Sequence, residues 1–231
     1  MALMKQTIPI PSTQYAYYSD SQAKANEAII TRIKNAPYYS KLKKYAAQEN
    51  LPVSLVVAIV ATESGGREVG KNSAGAVGVM QMKKIAALEA IRRAAISKDL
   101  SADEKRKIAQ VSPEVAKNDF KIYRARLDGV DYEKAKNELE QGLFNAEFNL
   151  MLGTMLLGQI IDSYTNSGRI YLSKAVAIYN QGSSARSNIE PFNTATEIIE
   201  KSTLREEGKR YIKKVLGRNG YLHIQKPNLT L

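Results

Sequence analysis

The 231-residue chain has no cysteine, one histidine and no apolar run of the roughly 18 to 20 residues needed to cross a bilayer. Without cysteine there are no disulfides, no thiolate nucleophile and no cysteine-ligated zinc. The lone His223 lies in the closing stretch GYLHIQKPNLTL, which argues against a Ser-His-Asp triad or a multi-histidine metal site, so no metal and no cofactor are expected. Any chemistry must rest on carboxylates. The opening MALMKQTIPIPSTQYAYYSD has neither an apolar leader core nor a small-residue cleavage site, so the expected site of synthesis is the cytoplasm, without a signal peptide.

Hydrophobic residues make up 44% of the chain, enough for a substantial core. The formal net charge of +11 suggests an anionic partner: nucleic acid, acidic lipid or an anionic wall polymer. The basic residues are interleaved with acids in helical stretches such as YSKLKKYAAQEN, DEKRKIAQ and GKRYIKKVLGR. That pattern favours solvated helix faces over a nucleic-acid groove, and no nucleic acid is required.

The pattern predicts a mainly α fold. Helices are expected over Tyr39 to Glu49 and from Pro52 or Ser54 through LVVAIVATES to a stop at Gly65-Gly66. The second of these is apolar on all sides and should be buried. Further helices are expected in KKIAALEAIRRAAIS, after the capping-box stretch SADE at 101 to 104, at Ser112-Pro113 and after Asp131. NAEFNLMLGTMLLGQIIDSY, SKAVAIYNQG and REEGKRYIKKVLGRNG complete the set, the last ending at Asn219-Gly220. No alternating run supports a sheet, although the glycine-rich loop after Gly65 has room for a short hairpin. The organisation read from these patterns is an N-terminal extension over 1–37, a domain over 38–216 with a charged helical insertion at 97–140, and a tail over 217–231.

The stretch ATESGGREVGKNSAGAVGVMQM, residues 61 to 82, carries the chemistry. Glu63 is placed at the end of an apolar helix, where the negative end of the macrodipole and the exclusion of water both favour the protonated acid. A glutamate raised in this way can act as a general acid near neutral pH. A surface glutamate in a last turn is the alternative on this local pattern alone.

Glu63-Ser64, a glycine-containing loop and Gly78-Val79-Met80-Gln81 together resemble the catalytic motif of the soluble lytic transglycosylases, lysozyme-like enzymes that cleave peptidoglycan. NLMLGTMLL, through Asn149 and Gly153, is similar to a further motif of that family, as is AIYNQG through Tyr179, Asn180 and Gly182. EGKRYIKKVL is similar to another through Glu207 and Tyr211. The motifs occur in the family's order over roughly residues 40 to 216. The resemblance implies a lysozyme-like fold with Glu63 as catalytic residue. It also implies a substrate-binding set of Ser64, Asn72, Ser73, Gly78, Met80, Gln81, Tyr179, Asn180, Glu207 and Tyr211.

The residue types leave other roles open at several of these positions. Gly75 and Gly78 allow close approach of a sugar or simply a turn. Gln81 suits sugar hydroxyls or fixes the loop, and Met80 suits the core better than a cleft. Tyr179 offers an aromatic face and a hydroxyl for Glu63 or the substrate, or is a buried tyrosine with a satisfied hydroxyl. Ser64 suits tying down the helix end. The sequence departs from the family at Asn72, where serine is usual, at Leu156, where tyrosine is usual, and at Gln181, where a small residue is usual. The stretch between Gln81 and Asn149 is also longer than in the family.

The implied substrate is the peptidoglycan glycan strand, cleaved between N-acetylmuramic acid and N-acetylglucosamine to a 1,6-anhydro product with Glu63 as sole acid and base. Glu68 is the nearest other carboxylate in sequence, and nothing obliges it to face Glu63. Competing readings are a lysozyme-like hydrolase, a non-catalytic peptidoglycan-binding module, or a helical nucleic-acid binder that would leave the motifs unexplained. The resemblance is compatible with a bacteriophage endolysin or a virion component with virion partners, acting at the cell wall. A bacterial secretion- or conjugation-machine enzyme is the other setting.

Overall fold

The computed structural model describes residues 18–97, 100–117, 119–121 and 131–225. Helices dominate, in the order α1 (Asp20–Asn35), α2 (Tyr39–Gln48), α3 (Val53–Ser64), α4 (Lys84–Ser97), α5 (Ala102–Val111), α6 (Pro113–Ala116) and α7 (Tyr132–Gly142). They continue with α8 (Ala146–Ser163), α9 (Leu172–Gln181), α10 (Arg186–Ile189), α11 (Ala195–Lys201), α12 (Glu206–Leu216) and α13 (Tyr221–Ile224). Among the described residues, none is long and apolar enough to cross a membrane.

Two helices form the centre because their sequences leave no polar face. In α3 every residue from Leu55 to Ala61 is buried, and α1, α2, α12 and α13 pack around it. In α8 burial runs almost unbroken from Phe148 to Ile161, with α2, α4 and α9 as neighbours. The expected starts and stops are present in chemical detail. Ser101 and Glu104 form the reciprocal capping box of α5, Ser112 caps α6 with Pro113 in its first turn, and Asp131 and Asn145 cap α7 and α8. At the end of α3, Gly65 adopts the left-handed conformation (φ 62°).

The described part of the charged insertion docks on the domain through α4 and α7 and closes on itself through α5, α6 and α7. Ile108, Val115, Ala135 and Leu139 join it to the common core, and an ionic link adds to that packing. Lys107 donates to the Tyr45 hydroxyl at 2.6 Å and to Glu147, whose carboxyl also accepts from Tyr45 at 2.9 Å. Lys107 holds the Glu147 carboxyl well below the ordinary carboxylate range, at about 2. Residues 98–99, 118 and 122–130 of this stretch lie outside the described residues, as do 1–17 of the expected extension and 226–231 of the expected tail.

Several features differ from the expectation or add to it, among them α10 and α11, which the sequence patterns did not predict. Residues 20–35 form α1, which buries Ile30 and Ile33, so this part of the extension contributes to the core. Residues 217–225 of the tail likewise contribute: α13 buries Tyr221 and Leu222 against α3. The helix expected to run to Asn219-Gly220 ends at Leu216, with Gly217 extended as its cap. The strand pairing falls at Thr165–Asn166 with Arg169–Ile170, around Ser167-Gly168, while the glycine-rich loop holds only a single antiparallel bridge between Val77 and Met82.

Candidate active site

Glu63 stands in the last turn of α3, partly covered, with apolar core on its inner side. Burial pushes its carboxyl up from 4.5 to about 7. The Tyr211 hydroxyl, donating to Oε1 at 2.7 Å, works against that rise. The Glu207 charge adds to it, and Lys214 opposes it. Burial raises the Tyr211 phenol well above its usual range, with the neighbouring Glu63 contributing, so it remains a donor.

Tyr211 is brought to Glu63 by the packing of α12 on α3, and α12 is in turn crossed by α9. The α9 and α12 helices approach closely at Gly208, where a Cβ would lie 2.9 Å from the Gln181 Cγ and from the Leu204 Cδ2. The same approach brings Tyr179 and Asn180 of α9 beside Glu207 of α12.

Opposite them, the loop over 65–82 is pinned from below by Asn149 of α8. The buried Asn149 side chain accepts from the Met80 amide at 2.8 Å and donates to the carbonyls of Val77 at 2.8 Å and Leu143 at 3.1 Å. Gly78 is required there: its φ is +78°, and a Cβ would meet the Asn149 Nδ2 at 2.4 Å. Ser64 completes the junction by donating to the carbonyls of Val60 at 3.1 Å and Val79 at 2.9 Å. Asn72 folds the loop tip by accepting from the amides of Ala74 and Ala76, and it donates to the Gln81 Oε1 at 2.9 Å. Gln81 in turn donates to the Gly78 carbonyl at 2.9 Å.

Two hollows meet at Glu63, and both are lined by Glu63, Asn180 and Glu207. One, of about 350 Å³, follows α12 past Tyr211, Arg210 and Lys214. The other, of about 250 Å³, runs between the loop and α9 past Asn72, Gln81, Leu156, Tyr179 and Gly182. Seven of the expected residues therefore surround one cleft: Glu63, Asn72, Gln81, Tyr179, Asn180, Glu207 and Tyr211.

Four expected substrate contacts do not line it. Ser64 gives its hydroxyl to backbone carbonyls, and Ser73 is exposed on the loop outside the hollows. Gly78 is buried against Asn149, and Met80 is fully buried against Gly153. At Gly153 the absence of a side chain is what leaves room for the Met80 sulfur, since a Cβ there would lie 2.4 Å from it. The Tyr179 hydroxyl, expected to reach Glu63 or substrate, donates to the Met80 carbonyl at 3.1 Å and leaves its ring at the cleft wall.

Glu68 does not line the hollows either; the second carboxylate there is Glu207. Sequence reasoning missed Arg210 and Lys214. Their spacing from Glu207 and Tyr211, one helical turn each, was the available signal. Among the described residues no three histidine, aspartate or glutamate side chains gather closely enough to hold a metal ion.

Residues 40–112 match the family model of the transglycosylase SLT domain. No curated protein matches the chain. Among solved structures it is similar to an inactive mutant of the lytic transglycosylase Slt from Pseudomonas aeruginosa, at 19% identity and a TM-score of 0.46. That match covers 89% of this chain and 30% of the Pseudomonas protein. Over the segment that holds Glu63, its glycine-rich loop and the Met80-Gln81 pair, the chain is thus similar to the transglycosylase SLT domain family.

Proposed function

We propose that this protein is a peptidoglycan lytic transglycosylase in which Glu63 alone serves as acid and then base. The observation that carries the reading is a carboxyl with a pKa of about 7 at the junction of two hollows, held by one hydroxyl donor. At neutral pH such a group is populated in both protonation states, which a residue that gives and then retrieves one proton requires.

In the first step Glu63 transfers its proton to the glycosidic oxygen between N-acetylmuramic acid and N-acetylglucosamine, and the C1–O bond breaks. The glucosamine leaves with that proton as an alcohol. Positive charge on the muramyl C1 is met by the acetamido oxygen of the same sugar, with Asn180, which lines both hollows, as the hydrogen-bond partner of that group. In the second step the Glu63 carboxylate takes the proton of the muramyl 6-hydroxyl as its oxygen bonds to C1. The 1,6-anhydro ring forms, Glu63 is protonated again, and no water is consumed.

A hydrolase on the same fold is the second reading, favoured by one observation: Glu207 lines both hollows with Glu63 and could serve a two-carboxylate scheme. The family resemblance is compatible with a bacteriophage setting, as a lysis enzyme or a virion component. Proteomic detection of the chain in purified particles would distinguish the two.

The test of the chemistry is mass spectrometry of soluble products from purified peptidoglycan treated with wild type and with Glu63→Gln. Anhydromuropeptides from wild type alone are expected. Reducing-end products that depend on Glu63 would make it a hydrolase. The absence of products, on walls that a control enzyme digests, would overturn both readings in favour of a docking module.

A further inference from the structure

A second cavity begins where the Glu63 cleft ends. Leu156 of α8 and Gly182 line the cleft, and Ile160 and Ser183 line the next hollow, of about 360 Å³. The step from Leu156 to Ile160 is one helical turn, about 6 Å along α8. Ile160, Ile178 and Tyr164 supply the apolar part of this second hollow, and Ser163, Ser183, Arg93 and Arg186 the polar part. No carboxylate lines it.

Both arginines are held in place by one edge. Arg93 donates through Nε to the Glu89 Oε1 at 2.7 Å, and Glu89 is shared with Arg92. Arg186 donates through Nε to the Tyr164 hydroxyl at 3.2 Å, and its guanidinium carbon lies 5.4 Å from the centre of that ring. In each case the bond engages Nε and leaves terminal N–H groups to meet a ligand. A guanidinium already positioned loses less freedom on binding than a loose one, and its fork matches a carboxylate. Glu89, Glu190 and Asp162 stand near the pair, the last beside Arg93 in a neighbouring hollow, and none of these carboxylates lines this one. Glu89 is occupied by Arg92 as well as Arg93.

We infer that the Arg93–Arg186 hollow binds a free carboxylate of the stem peptide carried by the glycan strand seated in the Glu63 cleft. This rests on the glycan-cleaving reading of that cleft, and it makes the enzyme prefer peptide-bearing strands over bare ones. A stem peptide suits the hollow in both respects, since its short aliphatic side chains can lie against Ile160 and Ile178 while a carboxylate meets the arginines.

The test has a binding arm and a turnover arm, with Arg93→Gln, Arg186→Gln and the double variant, each checked for unchanged thermal unfolding. Calorimetry with a soluble muramyl peptide, against the same peptide with its carboxylates amidated, is run on the Glu63→Gln background, so it needs no activity. The double variant is expected to weaken the acidic peptide about tenfold and the amidated one hardly at all. In turnover, KM for peptide-bearing strands rises by a similar factor while KM for strands stripped of peptide stays unchanged.

Equal loss on both kinds of strand, or no loss of peptide binding, overturns the inference. Loss confined to a phosphate-bearing wall polymer would reassign the hollow to that ligand. Peptide binding that survives where no strand is cleaved would sink the catalytic reading, and with it the strand preference, while keeping the hollow as a peptide-carboxylate site.

Discussion

Replacing Glu63 by Gln should stabilise the protein at alkaline pH while abolishing its activity. The carboxyl titrates at 4.5 when free and at about 7 in the fold, chiefly because burial withholds water from its charge. A group whose folded pKa is raised contributes stability in full below the unfolded value, and that stability is lost as pH rises through the folded value. Below pH 4.5 both states carry the proton and burial exacts no ionisation cost. Between 4.5 and about 7 the unfolded chain ionises while the fold retains its proton, so folding becomes steadily less favourable. Above that the cost is constant, at about 3 kcal/mol for this shift. Glutamine keeps the size of the side chain and an acceptor for the Tyr211 hydroxyl but never ionises. The difference in unfolding free energy between variant and wild type should therefore grow by about 3 kcal/mol between pH 4 and pH 8. Urea titrations at several pH values measure that difference directly, and in thermal scans it amounts to several degrees. A difference that stays flat across the range, or a variant that loses ground as pH rises, would refute the account of Glu63 as a buried acid.

Tyr211→Phe removes a side-chain hydrogen bond that favours the Glu63 carboxylate, so the alkaline limb of the pH–activity profile should move up by about one unit or more. A limb that stays in place in that variant would show that another group controls it. Asn149→Ala leaves the Met80 amide and the carbonyls of Val77 and Leu143 without their partner, and should cost about 3 kcal/mol or more in urea unfolding. Its effect on hydrogen exchange should centre on residues 77–82. Gly78→Ala combines a strained φ with a Cβ 2.4 Å from the Asn149 side chain, and should lower the unfolding midpoint and kcat together, whereas Gly75→Ala, strained but with only the end of Lys71 near its Cβ, should do less. Because Lys107 holds Glu147 down to about 2, the stability that Glu147 contributes is present above pH 4.5 and lost as pH falls toward 2. Glu147→Gln should therefore flatten the acid limb of a stability profile.

Much of the helical order was legible along the chain because each signal was local. Ser101 with Glu104, Ser112 with Pro113 and Gly65 after an apolar run are interactions among residues a few positions apart. Four helices escaped, α1, α10, α11 and α13, and two of them depend on contacts with distant parts of the chain. α1 is polar over most of its length and earns its place through Ile30 and Ile33, a burial that exists only once α3 is beneath it. α13 is a single turn whose Tyr221 and Leu222 read as tail until α3 and α12 are seen to receive them.

Local pattern along the chain was enough to show that the protein is helical, that it has carboxylates and amides in place of thiols and histidine clusters, and that Glu63 ends a buried helix. Apolar periodicity, capping chemistry and composition act over a few residues and need no partner. Tertiary structure alone decided which neighbours Glu63 has. Tyr211 donates to it from 148 positions away, Glu207 raises it across the cleft, and the buried Asn149 holds the opposing loop. It also turned Met80, Gly78 and Ser64 inward to packing and backbone contacts that a motif does not reveal. Desolvation and hydrogen-bond geometry depend on atoms brought together from distant parts of the chain, and so does the pKa that makes one carboxyl fit to give and take a proton.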